Sequence, residues 1–237
     1  MPNATTPRTL RWTDSVFLLL RQSLRIDVSS RERLITPLFF AAIVLLLFSF
    51  AMPEPDPIIR IRMMVAQSQL AIFFALQLSF SRAFESEKTD RVFEHLKMSP
   101  IDSSAFVVSK ILHVLIVGGL TMICTGVCSI VLQGHDLSLI MDPFVISGSF
   151  LSLLGLSSLG VLLAAITLRA DGQGILFPLL YFPLSVPVLL CSTESLSMWI
   201  EKPVWNETLR GWATILVAFD AIYLTIALLM SSETDTN

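Results

Sequence analysis

Long apolar runs separated by short polar breaks make up most of this chain. The runs cover about 34–52, 63–81, 106–132, 143–168, 175–192 and 211–230. At about 1.5 Å per helical residue, each is long enough to cross a hydrocarbon layer roughly 30 Å thick. Hydrocarbon offers no water to free N–H and C=O groups, so each run must satisfy its own backbone as a helix. The pattern therefore predicts an all-α, polytopic membrane protein with six transmembrane helices. Composition agrees, since 54% of the residues are hydrophobic, 15% are charged and the mean hydropathy is +0.73, outside the range of a soluble domain.

Residues 1–33 follow another period. Leu10, Thr13, Phe17, Leu20 and Leu24 recur at three- and four-residue intervals, while Arg11, Asp14, Arg21 and Arg25 occupy the neighbouring face. That spacing predicts an amphipathic helix with a basic side, lying in the interface beside anionic lipid or packed on the protein's own core.

One loop, 82–105, interrupts the spans with charge. The stretch from Phe84 to Lys110 holds 9 of the 35 charged residues. Within it Val92, Phe93 and Leu96 share one face, Asp90 stands where an N-cap belongs, and Ser99-Pro100 ends the pattern. So short a helix is marginal alone in water and calls for a partner surface. Phe84, Glu87, Asp90, Val92, Phe93, Glu94, Leu96 and Pro100 are the candidate docking residues.

Polar residues inside the spans form a second set of candidates. Gln67, Gln69 and Gln77 need hydrogen-bond partners on neighbouring helices or in a wet cavity. Asp220 stands midway along the sixth span, where a carboxylate is expensive without a partner. The fourth span is rich in Gly and Ser, which lets helices approach closely. Pro178, Pro183 and Pro187 each delete a backbone donor in the fifth, which is expected to kink or break. Trp199 and Trp205, in the expected outer loop 193–210, read as interface anchors.

Lysine and arginine placement sets the orientation. With the N-terminus inside, the inner segments hold 6, 5 and 1 basic residues and the outer loops 2 and 2, a split of 12 to 4. That asymmetry predicts both termini, including the tail 231–237, and the charged loop in the cytoplasm. Cys124, Cys128 and Cys191 form no redox or zinc pattern and read as small packing residues. His95, His113 and His135 are scattered, and hydrogen-bonding or solvated roles suit them. There is no phosphate-binding glycine loop, no H-E-x-x-H and no G-x-S-x-G, so the chain encodes neither ATP hydrolysis nor familiar hydrolase chemistry. Basic patches for nucleic acid are also missing.

Phe84, Asp90, Glu94, Leu96, Pro100 and Lys110 resemble the acidic loop motif of the CcmB family of bacterial cytochrome c maturation. FPLLYFPLSVPVLL, with Pro183 and Pro187, resembles that family's proline-rich segment. The likeness covers nearly the whole chain. Arg91, Ser99, Asp102 and Asp220 depart from the family's pattern. The resemblance implies an ABC-2-like exporter domain in the bacterial inner membrane, without ATPase activity of its own. Its implied partners are a separate CcmA-like ATPase that binds ATP and docks on the loop, CcmC- and CcmD-like membrane proteins, a CcmE-like haem chaperone and a second copy of itself. Haem is the implied cargo, and ATP hydrolysis would free the haem-loaded chaperone. The alternatives are an ABC permease for another substrate, such as a lipid or polysaccharide, and a membrane assembly scaffold without transport.

Overall fold

A computed structural model describes residues 11–51, 56–89, 103–134, 137–167 and 173–233. The described chain is helical, with one short 3-10 turn at Leu137–Leu139. In order the helices are α1 (Trp12–Ser29), α2 (Arg31–Ala51), α3 (Pro57–Thr89), α4 (Ser103–Gln133), α5 (Pro143–Thr167), α6 (Gln173–Glu201) and α7 (Glu207–Glu233). Six of them, α2 to α7, are long and apolar enough to cross a membrane.

The bundle is built around α5. It is the most buried span and packs on α3, α4, α6 and α7, while α2 lies outside against α3 and α4. Small residues allow this central position, because helices in lipid associate through close van der Waals packing rather than through a hydrophobic force. At Gly160 an added Cβ would run into the ring of Phe80. The α3 side of the core is correspondingly aromatic. Tyr181 stacks on Phe73 and on Phe177, both at 5.3 Å between ring centroids, and Phe80 meets Phe177 at 5.7 Å.

Helix α1 is amphipathic, as its spacing requires, and of the expected apolar stripe Phe17 is exposed while Leu20 and Leu24 are half-buried. Val16, Ser15 and Asp27 are buried, mainly against α4, whereas Phe17 and Val28 are exposed together with Arg21 and Arg25. The helix thus meets the protein on one side and presents an apolar strip beside a basic strip on the other. It ends at Ser30, whose N–H donates to the Ile26 carbonyl, and the chain restarts at once as α2.

Helix α6 differs most from expectation. Rather than breaking at its prolines or stopping near 192, it runs as one helix to Glu201, and the link to α7 is only 202–206. Trp199 therefore sits on a helix and Trp205 in the link. Helix α6 packs on α3, α5 and α7, and such surrounding helices hold a proline-containing segment in place.

Candidate functional site

Three polar groupings interrupt the apolar bundle. They lie at the loop end, in the middle and at the opposite end.

At the loop end, α3 continues to Thr89 and carries Phe84 and Glu87, and α4 begins at Ser103. The remaining docking candidates, Asp90, Val92, Phe93, Glu94, Leu96 and Pro100, lie outside the described residues, as do His95 and His135. At the root of this loop, where α1, α2, α3 and α4 converge, a cavity of about 40 Å³ is lined by Asp27, Arg33, Ser79, Phe80 and His113, among others. Nε2 of His113 donates to Oδ2 of Asp27 at 2.6 Å, and Arg33 Nη1 stands 3.9 Å from Oδ1. The Asp27 and His113 side chains are only 13% and 12% exposed, so neither can turn readily to bulk water in place of this bond. A second tether to α4 comes from Trp12, whose indole N–H donates to Ser104 Oγ at 2.9 Å.

In the middle, Gln69 Oε1 accepts from Ser152 Oγ at 3.0 Å, joining α3 to α5. Gln67 is buried, and both Gln67 and Gln77 are engaged in interactions of their own. Asp220 behaves differently. It is 5% exposed, and neither carboxyl oxygen has a hydrogen-bond partner among the described residues. It is accommodated by what α5 lacks, since a Cβ on Gly155 would collide with Oδ1 of Asp220 and approach Val188 of α6. Around it α6 is pinned on both sides. Tyr181 Oη donates to the Leu156 carbonyl of α5 at 3.2 Å. Tyr223 Oη of α7 donates at 2.8 Å to the Leu184 carbonyl, between Pro183 and Pro187. The proline segment is thus tied to its neighbours by the Tyr181 bond to α5, the Tyr223 bond from α7 and the stack on Phe73 of α3.

At the opposite end, Arg62 of α3 reaches α6. Its Nε donates to Glu201 Oε1 at 2.6 Å, and Nη1 lies 3.8 Å from Glu194 Oε2. Asp142 caps α5, with Oδ1 accepting from the N–H of Phe144 at 2.8 Å and of Val145 at 3.2 Å. The same oxygen accepts from the Trp199 indole at 2.9 Å. Phe144 stacks on Trp199 at 4.5 Å, and Trp205 meets both rings edge-on. The far end of α6 is therefore clasped to α3 and to α5.

The expected residues that the structure describes fall in separate groupings rather than in one reactive centre. Cys124, Cys128 and Cys191 are free thiols, and among the described residues no group of His, Cys, Asp and Glu is arranged to hold a metal ion. The pairs Asp27–His113, Arg62–Glu201 and Asp142–Trp199 escape sequence reasoning because their partners are far apart in the chain. One signal is nonetheless present in the helical period. Asp27 falls on the same side of α1 as Val16 and Leu20, opposite the other charged residues of that helix.

Comparison with known proteins places these features in a family. The profile of the family described as CcmB protein matches residues 14–234. The chain is 28% identical over 208 residues to Heme exporter protein B of Pseudomonas aeruginosa, covering 85% of this chain and 92% of that protein. It is 26% identical over 185 residues to Heme exporter protein B of Haemophilus influenzae, covering 76% and 81%. The match of the family profile runs from the first turn of α1 to the end of α7, so the chain belongs to the CcmB family.

Proposed function

We propose that this chain is the membrane subunit of a haem exporter of ABC type that serves cytochrome c maturation. A separate CcmA-like subunit supplies ATP hydrolysis, docking on the loop 82–105 through Phe84, Glu87, Asp90, Val92, Phe93, Glu94, Leu96 and Pro100. The chain lies in the bacterial inner membrane with both termini in the cytoplasm. It assembles with CcmC- and CcmD-like proteins and a second copy of itself, and its work is to turn ATP hydrolysis into release of a haem-loaded CcmE-like chaperone. The observation that carries this reading is the family match over 14–234, together with two relatives both named Heme exporter protein B.

Physical features of the bundle support a coupling role. The helices that flank the loop, α3 and α4, both pack on the central α5, so a push on the loop has a direct route into the core. Pro178, Pro183 and Pro187 leave α6 dependent on its neighbours, and such an element changes shape at modest cost when those neighbours shift. Asp220, set against Gly155 without a hydrogen-bond partner among the described residues, marks the α5–α7 contact as another place where an alternative arrangement is accessible.

The test is complementation. A bacterium deleted for its own CcmB protein should regain covalently haem-bearing c-type cytochromes when this chain is expressed together with its cognate partner subunits. Restored membrane insertion with no holo-cytochrome would overturn the assignment and point to another substrate.

A further inference from the structure

The loop-root cluster does more than fill space, because it determines how α1 is attached. Helix α1 has two polar tethers to α4, Trp12 to Ser104 and Asp27 to His113. At about 1.5 Å per residue the anchor points are roughly 22 Å apart along α1 and roughly 14 Å apart along α4. A helix held at one point swivels about it. A helix held at two points this far apart follows its support as a rigid body. The tether at Ser104 sits at the very start of α4, where the chain emerges from the loop, and the one at His113 lies beside Phe80 at the loop's other root on α3.

The two tethers are unequal. Trp12 is 44% exposed, so its bond to Ser104 competes with water. Asp27 and His113 are enclosed, and Arg33, the first-turn arginine of α2, stands over the same carboxylate. Asp27 thus gathers α1, α2 and α4 onto one side chain, and no other charged side chain of α1 is buried.

From this geometry, and resting on the coupling role proposed above, we infer that Asp27 and His113 are positioning residues that clamp the interfacial helix α1 to α4, so that movement imposed at the loop is carried to the membrane surface. The exposed strip of Phe17 and Val28 beside Arg21 and Arg25 is then the part of the coupling element that displaces lipid. The clamp lies in the chain's own fold and needs no partner to form.

The experiment measures distances between spin labels in the full-length protein, with its native cysteines replaced by serine, in vesicles of inner-membrane lipid. Labels replace Arg21 on α1 and Ile116 on α4, both exposed. The clamp predicts one narrow distance population in the unmodified background and a broad or multiple one in Asp27→Leu. The exchange Asp27→His with His113→Asp, which restores the bond with its ends reversed, returns the narrow population. If Asp27→Leu fails to insert, His113→Phe removes the same bond and must broaden the same distribution. A distribution that stays narrow in the single variants, or that the exchange leaves broad, overturns the inference. ATPase co-purification keeps the two proposals apart. Asp27→Leu leaves the loop intact and keeps the ATPase bound. If the unmodified chain captures no ATPase while the label distances behave as described, the coupling role falls and the clamp stands as a property of the fold.

Discussion

The two ends of the bundle are tied in different ways. At the end away from the loop, several bonds share the load. Arg62 meets two glutamates of α6, and Asp142 serves a helix cap and a tryptophan at once. Arg62 is 48% exposed, so water stands ready to replace its partners. At the loop end one enclosed pair joins α1 to α4, with a distant arginine and an exposed indole beside it. A redundant, solvent-backed clasp tolerates the loss of any one member, whereas a single buried bond does not. The far end is thus tied by several shared bonds, and the loop end by one enclosed pair, the arrangement that the proposed clamp requires.

Breaking each tie in turn sharpens the contrast. The largest effect is expected from Asp27→Leu, which leaves the enclosed His113 ring nitrogen without an acceptor. That costs about 1–3 kcal/mol, read as a lower midpoint in thermal unfolding of the purified protein in detergent. Asp142→Ala comes next. It removes the α5 cap and the acceptor of the Trp199 indole, costing about 1 kcal/mol, with a change in tryptophan fluorescence as Trp199 loses its bond. Arg62→Ala should be smallest, below about 1 kcal/mol, because the pair is largely solvated. An Arg62→Ala effect as large as that of Asp27→Leu would erase the distinction between the two ends.

Much of this architecture is legible in the amino-acid sequence. Six apolar runs become six helices because hydrocarbon leaves the backbone no other choice. Asp220 stands out for the same reason, although its accommodation depends on Gly155, two helices earlier in the chain, which no local pattern reveals. The prolines illustrate the opposite case. Their lost donors argue for a kink or break in α6, but neighbouring helices grip it: Tyr181 of α6 donates to the Leu156 carbonyl of α5 and stacks on Phe73 of α3, and Tyr223 of α7 donates to the Leu184 carbonyl. The amphipathic period of α1 locates the helix. It does not say which side faces protein, since the buried face includes Asp27, a charged residue that its bond to His113 on another helix makes acceptable. An amide in hydrocarbon needs a partner wherever it sits, so the sequence implies a bond for Gln69, but only the fold identifies Ser152 as the residue that makes it.

The loop itself offers the most direct test of coupling. Phe93→Asp combined with Leu96→Asp places two carboxylates among the residues proposed to dock the ATPase. The measurement is the amount of ATPase subunit that co-purifies per mole of this chain from solubilised membranes. If the loop is the dock, the ATPase is lost while the chain still inserts in full amount and keeps its narrow α1–α4 distance. Undiminished co-purification would contradict that role.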